Sequence, residues 1–213
     1  MLILLAVTTG ATDATAFERL GHTFASVITG NLILLGVSAA RGDGALAVSS
    51  GVALAGYALG VMIAAPRGNA PDQGSDWPAG TTSALAGDLA CLLVFAIGWV
   101  LADGRPGRTA QTLLLALAAV AMGMQSTAVR RLGQMSTTYL TSTYTALFEA
   151  LVARQWSAEY VRSIGILVMA FVGAAAAVGL INDARLVVPA LQLLPIAAVI
   201  VAARRLSRAG GRP

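Results

Sequence analysis

The sequence predicts an all-α polytopic membrane protein with six to eight transmembrane segments and two internal repeats offset by 112 residues. Three observations carry that prediction. Of the 213 residues, 57% are hydrophobic and only 11% charged, whereas a soluble domain carries about 25% charged residues. Uncharged runs recur at 44–66, 89–102, 109–129, 132–148, 163–182 and 186–203, most of them close to the roughly 20 residues that a helix needs to cross hydrocarbon. Finally, sliding the chain along itself by 112 residues sets "TAFERLGHTFASVITGN" (15–31) over "TAVRRLGQMSTTYLTST" (127–143), with Thr15/Thr127, Ala16/Ala128, Arg19/Arg131, Leu20/Leu132, Gly21/Gly133 and Thr29/Thr141 identical. Repeats of this kind build many transporter folds, whose sites lie at the repeat interface.

The segments follow in order as 2–17, 23–40, 45–65, 83–102, 109–129, 135–152, 160–181 and 186–203. The first begins "MLILLAVTTGATDATA" and contains a small-residue Ala14-Thr15-Ala16 step, but it lacks the basic flank of a signal peptide. Its repeat counterpart lies in mid-chain, so it reads as structural. That counterpart begins near Thr109, which projects the first helix to a start before Met1 and implies a native start upstream or a shortened helix. Gly56 and Gly60 in the third segment form a GxxxG pair, the sign of close helix approach in lipid. The linker at 66–80 is rich in Pro, Gly and Asp and reads as an exposed loop. Repeat 1 covers about 1–102 and repeat 2 about 105–204 of a single integral membrane domain.

All 14 basic residues are Arg, and Arg204, Arg205, Arg208 and Arg212 cluster in a C-terminal tail at 204–213. A basic tail after a last apolar span is a cytoplasmic anchor under the positive-inside rule. Eight crossings divide the arginines nine to five and put both termini in the cytoplasm of a bacterial inner membrane. Six crossings, with 23–40 and 135–152 re-entrant, also divide them nine to five. Charge leaves both topologies open. They differ in parity: four-span repeats are parallel and three-span repeats inverted.

The net charge of +4 comes without a folded basic domain, which argues against nucleic-acid binding. A lone Cys91 allows no intrachain disulfide, and a lone His22 with no second ligand makes a poor metal site. Ser and Thr are plentiful, yet no His or Lys base accompanies them, and no catalytic or nucleotide-binding motif opens in a suitable context. No enzymatic activity, metal or cofactor is expected.

Polar residues inside the apolar segments mark the candidate site. Thr29, Gly30 and Asn31 lie near the middle of segment 23–40, and Thr141, Ser142 and Thr143 match them in segment 135–152. Gly30 there would permit a break in the helix, freeing backbone groups that are tolerated only where they line a cavity. Asp13 and its counterpart Gln125 are the expected contacts to a solute or coupling ion. Arg19, Arg131, Asp88 and Glu149 are candidates for charge pairing, because a charge at mid-bilayer costs roughly 2.5–3.5 kcal/mol on insertion scales. The same polar clusters would alternatively serve only as hydrogen-bonding glue between helices.

The stretch "GATDATAFERLGHTFASVITGNLILLG" resembles the N-terminal signature of the YoaK-like family of bacterial multi-pass membrane proteins, a domain of unknown function. The matching positions are Gly10, Asp13, Ala14, Phe17, Leu20, Gly21, Phe24, Thr29, Gly30 and Asn31. "GMQSTAVRRLG" and "TTYLTSTYTAL" are similar to the family's second-half motifs through Gly123, Met124, Gln125, Ser126 and 137–143, with Ser142 standing where Gly is common. The resemblance implies a multi-pass inner-membrane protein and carries no established activity. The sequence therefore reads as a transporter that moves a small solute by alternating access, coupled to protons in one version and working as a homodimer. The alternative is a non-transporting scaffold or accessory subunit. The partners in either case begin with the lipid bilayer.

Overall fold

The computed structural model describes residues 1–65, 77–78, 80–132, 140–153 and 158–210. Among these residues the chain forms eight α-helices and no strand: α1 (Leu2–Arg19), α2 (Ile28–Arg41), α3 (Gly44–Ala64), α4 (Thr81–Leu101), α5 (Arg108–Arg131), α6 (Leu140–Ala153), α7 (Ala158–Asp183) and α8 (Val188–Gly210). A 3-10 turn at Arg185–Val187 leads into α8, which continues through Arg204 and Arg205.

Five helices are long and apolar enough to cross a membrane: α3, α4, α5, α7, and α8 with its leading turn. Their outer faces are apolar, with Leu59, Met62 and Ile63 of α3, Val94, Ile97 and Leu101 of α4 and Phe171 of α7 all exposed. The interior mixes large apolar side chains (Leu92, Phe95, Trp99, Leu115, Met122, Ile196) with polar ones. Helix α1 has 18 residues, a length of about 27 Å. Its row of Thr8, Thr9, Thr12 and Thr15 is buried under neighbouring helices, so none of those hydroxyls meets lipid. Helices α2 and α6 have 14 residues each, about 21 Å, too short for a hydrocarbon core of about 30 Å.

Two helix pairs make the closest contacts, α1 with α7 and α3 with α5. Glycines make them close. A Cβ at Gly10 would run into the Ala170 carbonyl, and one at Gly173 into that of Val7. Likewise Gly60 faces the Val120 carbonyl and Gly123 that of Tyr57. Helices in lipid associate through such van der Waals contact, because the surrounding tails are as apolar as the side chains.

The directions of the helices follow from what meets at their ends. At one end of the bundle, Glu18, Arg19, Gly21 and His22 line a recess with Arg105, Pro106 and Gln111, so α1 finishes where α5 starts. At the other end, the Arg131 guanidinium donates to the Ala64 carbonyl and lies against Gly80. There α5 and α3 finish and α4 starts. Helices α1 and α5 therefore run antiparallel. Gly21 also touches Ser49 near the start of α3, so the chain between α1 and α3 enters and leaves at the Arg105 end.

Segment 23–40 differs from the expectation of a continuous helix with a break at Gly30. The chain turns sharply at Gly21 (φ 105°) and His22 (φ 57°), then runs without helix back along α1. Phe24 stacks on Phe17 at 5.4 Å. Only at Ile28 does α2 begin, and it leads outward again to a left-handed cap at Gly42, after which Asp43 caps α3 by accepting from the Leu46 amide. Thr29, Gly30 and Asn31 thus occupy the first turn of a short helix. The break precedes them, because the reversal at Gly21 and His22 starts the non-helical stretch.

Candidate functional site

Two polar constructions occupy the interior. The first is the junction of α1 and α2. Asp13 sits six residues before the end of α1, about 9 Å along the axis. Its carboxylate accepts from the Ser26 amide at 2.8 Å and from the Ser26 hydroxyl at 2.5 Å. Asn31 is fully buried and holds Phe24 by both main-chain groups: its Oδ1 accepts from the Phe24 amide at 3.0 Å, and its Nδ2 donates to the Phe24 carbonyl at 2.5 Å. These four contacts pair three main-chain groups and a hydroxyl of the unwound stretch, which has neither strand nor helix to pair with. Helix α2 has no side-chain cap at its start.

The second construction is the centre of the bundle, where α1, α5, α8 and α4 meet. Gln125 of α5 donates from Nε2 to the Leu5 carbonyl and the Thr9 hydroxyl of α1, at 3.2 and 2.8 Å. Gln192 of α8 donates from Nε2 to the Thr15 hydroxyl at 3.4 Å, while its main-chain carbonyl accepts from the Thr8 hydroxyl at 3.1 Å. On a helix of 3.6 residues per turn, Thr12 lies between the Thr8/Thr15 line and the Leu5/Thr9 line. It therefore faces the groove between α8 and α5. Asp88 of α4 is level with the Met124–Gln125 turn of α5, since a Cβ at the neighbouring Gly87 would meet Met124.

Each of the four helices carries a buried oxygen that has no partner among the described residues: Thr12 Oγ1, Gln125 Oε1, Gln192 Oε1 and both carboxylate oxygens of Asp88. All four residues are essentially fully buried. A polar group withdrawn from water without a hydrogen bond costs about 1–3 kcal/mol. Buried polar atoms are normally paired, so each of these calls for a structural explanation.

The predicted residues separate accordingly. Gln125 and Asp88 belong to the centre, while Asp13 and Asn31 hold the α1–α2 junction. Thr29 is exposed, and Gly30 packs on Val27 and Phe24. Thr141, Ser142 and Thr143 fall in the first turn of α6, with side chains outside the described residues. Arg19 lines the recess at the Arg105 end, with a buried Nε that has no partner among the described residues. Arg131 ties α5 to α3. Glu149 is exposed on α6, in an apolar groove beside Tyr144, Phe148 and Val152. No ion pair joins any two of these four charges among the described residues.

Sequence reasoning missed Gln192, whose one signal is a lone carboxamide within the run 186–203. It also missed the row of threonines on α1 and the ion pair of Arg185 with Asp103 at 2.6 Å. That pair is joined by a bond from Trp99 Nε1 to the Arg185 carbonyl at 2.8 Å.

Lipid-length apolar helices around a buried polar centre define a multi-pass α-helical membrane protein. The chain belongs to the family described as protein of unknown function DUF1275, which matches residues 1–203. It is 34% identical over 157 residues to the UPF0700 transmembrane protein YoaK of Bacillus subtilis (strain 168), a match covering 72% of this chain and 67% of that protein. The YoaK-like resemblance read from the motifs is thereby established. No solved structure matches the chain.

Proposed function

We propose that this protein moves a small polar solute across the bacterial inner membrane by alternating access, with its site at the centre of α1, α4, α5 and α8. The single observation that carries the reading is the set of buried, unpartnered oxygens carried by four helices that pack together. A static scaffold gains nothing from leaving them unmade.

The architecture supports this reading as two inverted repeats of three crossings, each with a re-entrant short helix. Helices α2 and α6 have equal length and start 112 residues apart, and α1 and α5 end 112 apart. The close glycines recur too: Gly10 and Gly123 stand 113 apart, as do Gly60 and Gly173, and each faces the corresponding carbonyl of its partner helix. Antiparallel α1 and α5 fit inverted repeats, which place a site at their interface and aim the starts of broken helices inward. With six crossings Met1 and the end of α8 share a face. That face carries nine of the 14 arginines by connectivity, which makes it the cytoplasmic one.

The second reading is a scaffold, favoured by Asp13–Ser26 and Asn31–Phe24, whose groups are spent on holding the chain. Solvent access separates the two readings, neither of which assigns an enzymatic activity. In a Cys91→Ser background, Thr12→Cys and Gln192→Cys are expected to react with a membrane-impermeant thiol reagent, while the lipid-facing Leu32→Cys is not. Folded protein in which both core cysteines resist the reagent from either side overturns transport in favour of the scaffold.

A further inference from the structure

We infer that the central site binds a monovalent cation, held by the oxygens of Asp88, Thr12, Gln125 and Gln192. The inference rests on the reading of this centre as a site and names the ligand it takes.

The chemistry of the unpartnered atoms decides the class. The Gln125 amide has only one workable orientation, because the atom facing the Leu5 carbonyl must be a donor. Oε1 is therefore the end left over. Gln192 is oriented in the same way. The Thr15 hydroxyl spends its proton on the Ala11 carbonyl at 2.7 Å, so it can only accept from Gln192, and again Oε1 remains. Asp88 adds two carboxylate oxygens and Thr12 a hydroxyl oxygen. Every unmade bond at the centre thus presents an oxygen, and the amide oxygens and an ionised carboxylate can only accept.

Such a set repels an anion and suits a hard cation. The charge count selects a single positive charge. Asp88 is the one acid at the centre, and no group of three His, Cys, Asp or Glu side chains exists among the described residues to hold a divalent metal. Among the described residues, Arg19, Arg105, Arg108, Arg131 and Arg185 lie at or beyond the helix ends. A cation so bound neutralises the carboxylate and satisfies oxygens on four different helices at once. Its arrival and departure would then bias how those helices pack.

Two sources share this chemistry, an inorganic alkali ion and the protonated amine of an organic solute. Thermal unfolding of the purified, detergent-solubilised protein separates them. Sodium, potassium or methylammonium chloride would replace N-methylglucamine chloride at constant ionic strength. A saturable rise in midpoint with sodium or potassium assigns an alkali ion, and one with methylammonium alone assigns an amine-bearing solute. In Asp88→Asn, which is isosteric and folds without a buried charge, the rise is expected to vanish. Thr12→Val, which removes a hydroxyl that bonds to nothing in the fold, is expected to weaken the apparent affinity about tenfold. A midpoint that no cation shifts in wild type, or that shifts equally in Asp88→Asn, overturns the inference. A cation response in protein whose Thr12→Cys stays unreactive from both sides keeps the cation site and removes transport. Reactive Thr12→Cys without a cation response does the reverse.

Discussion

The carboxamide of Asn31 pairs with both main-chain groups of Phe24, seven residues earlier, and so closes a non-helical loop inside the membrane-facing bundle. The pairing copies what a neighbouring strand would supply. Replacing Asn31 with Ala leaves a buried amide and a buried carbonyl without partners. At about 1–3 kcal/mol for each, the thermal unfolding midpoint in detergent is expected to fall sharply. Asn31→Asp keeps the acceptor but sets a second oxygen against the Phe24 carbonyl and buries a charge, and is expected to lower the midpoint at least as much.

Asp13 faces two donors from one residue, the amide and hydroxyl of Ser26. An asparagine there keeps the bond from the Ser26 amide and donates its NH₂ to the Ser26 hydroxyl, which must turn to accept, so two charge-assisted bonds become two neutral ones. Asp13→Asn is expected to destabilise by about 1–3 kcal/mol, measured by scanning fluorimetry, whereas Ser26→Ala removes one bond and costs less. The effect arises under transport and under a scaffold alike. A transport assay of Asp13→Asn thus bears on mechanism only at matched amounts of folded protein.

Gly60 and Gly51 lie on the same helix and predict opposite outcomes. A methyl at Gly60 would strike the Val120 carbonyl, while nothing lies within 4 Å of a methyl at Gly51. Gly60→Ala forces α3 away from α5 and is expected to cost about 1–3 kcal/mol or more. Gly51→Ala gains helix propensity, up to about 1 kcal/mol. Unfolding midpoints of the two variants, measured side by side, check the contrast.

Arg185 joins the α7–α8 turn to the α4–α5 turn, donating from Nε to the Asp103 carbonyl and pairing with its carboxylate. Both side chains are partly exposed, at 32% and 64%, and exposed pairs contribute about 0–1 kcal/mol. Asp103→Asn and 1 M salt are both expected to leave the unfolding midpoint nearly unchanged. Trp99→Phe is expected to lower it more, because Trp99 is fully buried and donates its indole N–H to the Arg185 carbonyl.

The re-entrant reading of α2 puts Glu18 and Arg41 on the same side of the membrane; a spanning α2 puts them on opposite sides. Both are exposed. In the Cys91→Ser background, single cysteines at the two positions are expected to react with an impermeant reagent from the same side. Reaction from opposite sides restores eight crossings.

Hydropathy adds up along the chain, and it made the membrane class and most helix boundaries legible before any contact was known. The sequence's segments 45–65 and 83–102 lie within one or two residues of α3 and α4 at their apolar ends. The matched Arg-Leu steps, Arg19-Leu20 and Arg131-Leu132, fall where α1 and α5 end. Gln125 was identifiable for the same reason, as an amide in a run that hydrocarbon surrounds.

Only the tertiary structure decided what those polar groups do. Asp13 and Asn31 look like solute contacts in a linear reading, and their actual partners, Ser26 and Phe24, become neighbours only when the chain doubles back at Gly21 and His22. Gln192 has no motif, and it matters because α8 lays it against Thr15 while Gln125 approaches from α5. The preference of a residue for lipid or for protein is its own, so it can be summed from sequence. Whether a buried oxygen is satisfied depends on which helix lies opposite, and that is settled only when glycine-mediated contacts fix how closely, and in which direction, the helices run.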